Sequence, residues 1–324
     1  MQKPQIFIAK PIPSEVREYL EQHATCTFWE KETPVPRQEL REHVAQVEGL
    51  LTAGGKITSE LLDAAPKLRV VSTMSVGYNH FDIPAFRKRG VIGTHTPGVL
   101  NDTVADLVMA MMLTAGRRIS ELDRYVKDGH WQRGDNESLF GLDIHHKILG
   151  IIGMGGIGKA VAKRAKFGFD MSILYHNRHR NPEVEQEFCA SYCSLDELLQ
   201  QSDLIVLMTP LTEETRHLIG AQQFAKMKKT AIFINASRGQ TVDEQALIQA
   251  LQTKQIYAAG LDVFEQEPVD RDNPLLSMPN VITLPHIGSA TETTRDQMAM
   301  LAAQNLIAAL QGLTPPNLIP ELRS

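Results

Sequence analysis

Three polar side chains stand just past three successive apolar runs in the last third of the chain. Together they could bind a carboxylate, polarise a carbonyl and move a proton. Ala231-Ile-Phe-Ile-Asn235 runs into Ala236-Ser237-Arg238-Gly239, Tyr257-Ala-Ala-Gly-Leu261 into Asp262-Val-Phe-Glu-Gln-Glu267-Pro268, and Val281-Ile-Thr-Leu284 into Pro285-His286-Ile-Gly288-Ser289. The planar fork of Arg238 suits a carboxylate and can polarise a neighbouring carbonyl. His286 can give or take a proton near neutral pH. Glu267, in contact with the imidazole, would orient it and favour the imidazolium form. Taken singly, each has a plain structural reading: an arginine on a surface loop, a glutamate in a turn before proline, a satisfied loop histidine. Placed together at strand ends, where ligands of open α/β sheets bind, they form a workable reaction set.

A second constellation says what would sit beside them. Lys147-Ile-Leu-Gly-Ile-Ile-Gly153-Met-Gly155-Gly156-Ile157-Gly158 reads as a buried strand entering a glycine-rich turn, followed by a helix through Phe167 and a strand Met171-Ser-Ile-Leu-Tyr175. Gly153 permits the tight turn and Gly155 allows a pyrophosphate to approach the backbone. Gly158 lets helix and strand pack closely, while the helix N-terminus attracts the anion. The spacing alone is weak, but strand, helix and second strand supply the context that dinucleotide binding requires.

The residues after that strand bear on which dinucleotide. A site for NAD usually places Asp or Glu about 20 residues on, against the ribose hydroxyls. Here Tyr175-His-Asn177-Arg178-His179-Arg180 offers no carboxylate before Glu183. Arg178 and Arg180 could instead hold a 2′-phosphate, so NADPH is the expected cofactor and NADH a possible one. The competing reading is a solvated basic loop.

The elements that must position these residues alternate in the α/β manner. Strands are expected at 5–10, 25–29, 49–53, 69–74 and 91–95. Helices are expected over 14–22, 37–47, 59–65 and 82–89, with Ser14 and Ser59 as N-caps. Beyond Pro97-Gly98 a long helix is expected from about Thr103 to Lys127. It is so apolar at its start that it should be buried, in a domain seam or against a second subunit. In the second half, helices at 195–200, 221–227 and 243–252 separate near-continuous apolar strands, the mark of a parallel sheet covered on both faces. A last helix, about 291–311, has room to cross back onto the first domain.

At 324 residues the chain is comfortable for two domains, and its composition, 43% hydrophobic and 22% charged, is ordinary for a globular protein. The net charge of −5 gives no reason to expect nucleic acid or an anionic membrane as partner. The strongest apolar stretch, Leu107–Ala115, falls far short of the ~20 residues a membrane span needs. Cys26, Cys189 and Cys193 lack the neighbours of a zinc site, so no metal is expected. With no signal-peptide pattern ahead of the first strand, the expected setting is the cytoplasm.

The chain resembles the D-isomer-specific 2-hydroxyacid dehydrogenases along essentially its whole length. Besides the glycine turn, the resemblance rests on Ser75-Val76-Gly77-Tyr78-Asn79, Asp106, Asn235-Ala-Ser-Arg238-Gly239, Gly260-Leu-Asp262-Val-Phe264 with Glu267-Pro268, and Pro285-His286-Ile-Gly288. Ser72–Asn79, His145-His146-Lys147 and Gly168-Phe169 resemble, within the family, the bacterial glyoxylate/hydroxypyruvate reductases that also reduce 2-keto-D-gluconate. The family resemblance implies two doubly wound parallel-sheet domains. A Rossmann domain over 101–288 is inserted in a flavodoxin-like substrate domain of 1–100 and 289–324, and hinges near 98–101 and 286–290 close the cleft between them. It implies Arg238, Glu267 and His286 as the catalytic set, with His286 the proton donor, and the Val76 and Gly77 amides beside Arg238 on the substrate carboxylate. Cofactor contacts are implied at Gly155–Gly158, Asn177, Arg178, Thr209, Pro210, Ala236, Ser237, Arg238, Asp262 and from His286 through Gly288 to Ser289. A homodimer is implied as well. Glu267 separates the chain from formate dehydrogenases, which carry Gln there. The rival expectations are a non-catalytic, nucleotide-sensing interaction protein on the same fold and an NADPH-dependent reductase of a different 2-keto acid.

Overall fold

The computed structural model describes residues 3–323. They form two compact units. One runs to Leu100 and resumes at Ala290, and the other spans Asn101–Ser289.

In the first unit β1 (Gln5–Ile8), β2 (Thr25–Phe28), β3 (Gly49–Thr52), β4 (Val70–Thr73) and β5 (Ile92–Thr94) form a parallel sheet in the order β2-β1-β3-β4-β5. That is the flavodoxin-like order, with its switch point between β1 and β3. Alternation along each strand splits the core in two. Phe7, Leu50 and Val71 pack with Leu61, Leu62, Phe86 and Ile319 on one face. Ile6, Ile8, Leu51 and Val70 pack with Val16, Leu20, Leu306 and Leu310 on the other. The helix Glu292–Leu310 therefore returns to this sheet, and Ser72 Oγ donates to the carbonyl of Ala302 at 2.8 Å.

The second unit holds β6 (Ile148–Ile152), β7 (Ser172–His176), β8 (Ser191–Tyr192), β9 (Leu204–Leu207), β10 (Ile232–Asn235), β11 (Ala258–Leu261) and β12 (Val281–Thr283). All are parallel, in the order β12-β11-β10-β9-β6-β7-β8. This is the Rossmann arrangement, reversing direction beside β6 where the glycine turn lies. Two elements here escaped the sequence reading, the helix Pro182–Phe188 and the two-residue strand β8.

Two expectations need correction. The caps fall one residue earlier: Ser14 is already helical behind Pro13, and Thr58, not Ser59, accepts from the Leu61 amide. The long helix is two, Asn101–Gly116 and Ile119–Lys127, broken at Arg118 in the left-handed conformation (φ 55°). The break has a packing cause. Ile144 occupies the space where a Gly116 side chain would be, and the Leu142 amide takes the Gly116 carbonyl at 2.7 Å. Arg118 then bonds Glu121 and the carbonyl of Ser138. The first of these helices packs on elements of its own unit. Met111 lies beside Gly260 on its own sheet, and Arg164 ties Asp102 and Asp106 to the helix Gly156–Phe169.

Among the described residues no helix is long and apolar enough to cross a membrane. No group of three or more His, Cys, Asp or Glu there could hold a metal ion.

The central strand β6 tolerates no side chain at Gly150, where a Cβ would lie 2.3 Å from Ser202 Oγ and 2.5 Å from Leu198 Cδ2. Gly150→Ala should cost about 1–3 kcal/mol through overpacking. A lowered urea midpoint at unchanged slope would show it, and an unchanged midpoint would refute the packing account.

Candidate active site

Arg238 owes its position to Asn235. The Asn235 Oδ1 accepts from the amide and hydroxyl of Ser237 at 3.0 and 2.8 Å, and its Nδ2 donates to the Arg238 carbonyl at 3.1 Å. Thr241 Oγ1 donates to that same carbonyl at 2.6 Å. The turn after β10 is thus closed by its own side chains, which fixes the backbone from which the half-buried Arg238 projects. One guanidinium nitrogen donates to the Ser237 carbonyl at 2.6 Å, and among the described residues Arg238 forms no salt bridge. Burial lowers its proton affinity and the charge of Glu267 opposes this, so the group is a cation short of an anion.

The loop after β11 crosses directly over this turn. A Cβ on Gly239 would sit 1.8 Å from the Phe264 carbonyl oxygen, so only glycine permits the crossing. Gln240 Nε2 pins the loop from below by donating to the Glu265 carbonyl at 2.5 Å. Glu267 Oε1 accepts from the Phe264 amide at 3.1 Å, and Oε2 accepts from His286 Nδ1 at 2.7 Å. Burial would raise the Glu267 pKa. The His286 bond and charge, the Phe264 amide and Arg238 outweigh burial and hold it below its ordinary value.

His286 stands exposed at the end of β12 with a left-handed backbone, φ 55°. Asp262 fixes that conformation. Its buried carboxylate accepts from the Ile287 and Gly288 amides at 2.7 and 2.8 Å. Burial raises the Asp262 pKa in spite of those two bonds. With Nδ1 bonded to Glu267, the imidazole presents Nε2 outward.

At the other arm of the sheet, Gly153 (φ 102°) turns the chain against the backbone of Met208, and a Cβ on Gly158 would lie 2.5 Å from the Gly153 carbonyl oxygen. Gly155 differs, since nothing lies within 4 Å of a Cβ built there. The helix Gly156–Phe169 starts at this open space with no side chain capping it. Across the turn, the buried Thr209 Oγ1 has no hydrogen-bond partner among the described residues. Exposed amides, open space and an unsatisfied hydroxyl fit a dinucleotide pyrophosphate. Asn177 clamps the turn, its Oδ1 accepting from the Met154 amide at 2.7 Å.

The two arginines of the basic loop are not equivalent. Arg180 makes a two-pronged pair with Glu185 at 3.1 and 2.7 Å and lies over the Tyr192 ring. Arg178 is exposed and, among the described residues, forms no salt bridge. Arg180 is thus already paired in this structure, while Arg178 has the exposed Glu214 within electrostatic reach.

The remaining expected residues fall as follows. Ile157 lies in the first turn of the helix, Pro210 is exposed past β9, and Ala236 precedes Ser237, whose hydroxyl is spent within its own turn. A Cβ on Gly288 would lie 3.1 Å from the Asp262 carboxylate, and Ser289 closes the unit. Val76 and Gly77 belong to the first unit, in the loop after β4. The sequence reading missed Asn235 as the clamp of the Arg238 turn. The Asn-x-Ser spacing of a side-chain-closed turn was its available signal.

Comparison with known proteins places these features among relatives. Residues 109–288 match the family described as D-isomer specific 2-hydroxyacid dehydrogenase, NAD binding domain. The chain is 53% identical over 317 residues to a glyoxylate/hydroxypyruvate reductase B of Escherichia fergusonii, covering 98% of each. It is similar to a solved glyoxylate reductase of Paecilomyes thermophila, with a TM-score of 0.90, 32% identity and full coverage of both chains. It is also similar to the NADPH-dependent glyoxylate/hydroxypyruvate reductase of Sinorhizobium meliloti in complex with NADP and malonate, with a TM-score of 0.85 and 31% identity over 99% of this chain and 98% of that one.

Gly155→Ala should leave thermal stability unchanged, because its methyl meets nothing, yet weaken dinucleotide binding about tenfold or more by blocking backbone approach. Calorimetric titration beside a melting curve separates the two, and full-strength binding would show that the open space is not the pyrophosphate site. The lowered Glu267 pKa has a pH consequence. The carboxylate's grip on His286 is complete above the ordinary carboxylate pKa and is lost as pH falls through the lowered value. The bond should persist through mild acid, observable as an unchanged Nδ1 proton resonance; loss of the resonance well above that range would contradict it.

Proposed function

The chain belongs to the D-isomer specific 2-hydroxyacid dehydrogenase family, NAD(P)H-dependent oxidoreductases, and on that premise we propose that it reduces small 2-keto acids with NADPH. The substrates are glyoxylate, hydroxypyruvate and 2-keto-D-gluconate, and the products D-2-hydroxy acids. The observation that carries the reading is the His286–Glu267 hydrogen bond beside Arg238, which forms no salt bridge among the described residues.

The cofactor, when bound, supplies the hydride. The chain's residues do the rest. Arg238 and the Val76 and Gly77 amides hold the substrate carboxylate, and the guanidinium draws electron density from the adjacent carbonyl. His286 delivers a proton from Nε2 to the keto oxygen as charge develops there. Glu267 keeps the ring oriented by holding Nδ1 and balances the imidazolium charge. The residues from Gly153 to Gly158, with Thr209, hold the pyrophosphate, and Arg178 reads the 2′-phosphate. The support for NADPH over NADH is the basic, carboxylate-free Asn177–Arg178 turn, together with the NADP held by the Sinorhizobium meliloti relative.

Two coarser features complete the reading. The protein works in the cytoplasm, and it forms a homodimer through the exposed apolar side chains Ile119, Val126, Trp131 and Phe140. Light scattering at micromolar concentration tests the second, with Trp131→Asp expected to favour the monomer.

Absorbance at 340 nm, the usual nicotinamide wavelength, should fall with all three acids and NADPH; absence of turnover despite cofactor binding would sink the reading. His286→Ala should lower kcat about a hundred- to ten-thousandfold with NADPH affinity retained. Arg178→Asp should weaken NADPH about tenfold or more while leaving NADH nearly untouched, and Arg180→Ala should do much less. Equal losses for both cofactors would show that Arg178 does not read the phosphate.

A further inference from the structure

The loop Ser75–Tyr78 in the first unit is held by the residues that leave β5. The Ser75 carbonyl accepts from the Thr96 amide at 2.9 Å, and the Val76 carbonyl from His95 Nδ1 at 2.9 Å. A carbonyl can only accept, so His95 carries a proton on Nδ1. In a trans peptide the carbonyl and the following N–H point opposite ways. Anchoring the Ser75 and Val76 carbonyls on this side therefore turns two consecutive N–H groups, of Val76 and Gly77, away from His95 and Thr96. Paired amides facing one way make an anion-binding concavity.

His95 is in turn held by the chain's own C-terminal segment. Its amide donates to the Asn317 carbonyl at 3.2 Å, and Asn305 bonds both the His95 carbonyl and the Asn317 amide. Leu318 bridges Thr94, and the fully buried Ile319 donates its amide to Gly93 at 3.0 Å. Two residues on, both carboxylate oxygens of Glu321 accept from the Tyr78 hydroxyl, at 3.1 and 2.9 Å. The Tyr78 ring meets His95 edge-on, 5.2 Å between centroids. One short segment thus grips the loop twice, through His95 and through Tyr78. Burial lowers the His95 pKa, against the pull of the Val76 bond, which keeps the ring a neutral donor.

We propose that the C-terminal segment Asn317–Glu321 is a positioning element for the substrate, holding His95 and Tyr78 so that the Val76 and Gly77 amides stay aimed at the carboxylate of the 2-keto acid. This rests on the reading that those amides bind that carboxylate. His95 and Glu321 touch no reacting atom; they act through the loop.

The test compares variants of the full chain in steady-state turnover of glyoxylate with NADPH and in calorimetric binding of oxalate, an unreactive carboxylate. His95→Phe keeps the ring against Tyr78 and loses the donor, so KM for glyoxylate and Kd for oxalate should rise about tenfold, with kcat and NADPH affinity within about twofold. His95→Asn returns a donor near the Nδ1 position and should recover most of the loss. Tyr78→Phe and Glu321→Ala should each raise KM about threefold, and the double variant no further, because both remove one bond. Unchanged KM and oxalate affinity in His95→Phe would overturn the proposal. So would a joint fall in kcat, NADPH affinity and melting temperature that His95→Asn does not reverse. If the parent protein turns over no keto acid yet its oxalate affinity still depends on His95, the reductase reading fails and the positioning role stands. Absence of both turnover and oxalate binding in the parent overturns both.

Discussion

Where two backbone loops cross, no atom beyond hydrogen can stand on Gly239, and the rest of the proposed reacting set depends on that crossing. With 1.8 Å between a hypothetical Cβ and the Phe264 carbonyl oxygen, the loop after β11 lies directly on the turn after β10. Backbone contact of this kind fixes the separation of what the loops carry far more tightly than side-chain packing could. Arg238 rides on one loop and Glu267 on the other. The first is held by Asn235 and the second by its own bond to the Phe264 amide. His286 joins them through its bond to Glu267.

His286 also shows how local strain is held. A non-glycine residue in the left-handed region costs about 1–2 kcal/mol. Here the buried Asp262 offsets it by accepting two consecutive amides just past the histidine. Burial raises the Asp262 pKa, so this clamp is itself made under a desolvation penalty. A residue expected as a cofactor contact thus holds the loop on which the imidazole stands. The same logic recurs in Asn177, whose side chain closes the glycine turn.

In both units the ends of parallel strands present backbone amides as well as side chains. The second unit offers the uncapped start of the helix Gly156–Phe169. The first offers the loop after β4, with its carbonyls anchored at β5. Both arrangements could receive an anion on backbone N–H groups without spending a charged side chain, as the proposed phosphate and carboxylate contacts require.

What the sequence determined by itself was whatever depends on periodicity and on residue type at short range. Near-continuous apolar runs required buried parallel strands, and the glycine spacing required a turn between strand and helix. Short polar segments after the runs placed Arg238, Glu267 and His286 at strand ends. Where short-range signals misled, a distant partner was the reason. The helix expected through Lys127 breaks because residues 142–144 fill the space at Gly116. Only the tertiary structure decided which atoms meet. That Gly239 lies under Phe264, that Asp262 clamps the loop of His286 and that Glu321 reaches Tyr78 across 243 positions are outcomes of chain crossing. Residue type names the possible bonds, but burial and backbone path choose among them, because a hydrogen bond needs its partners within about 3 Å and correctly aligned.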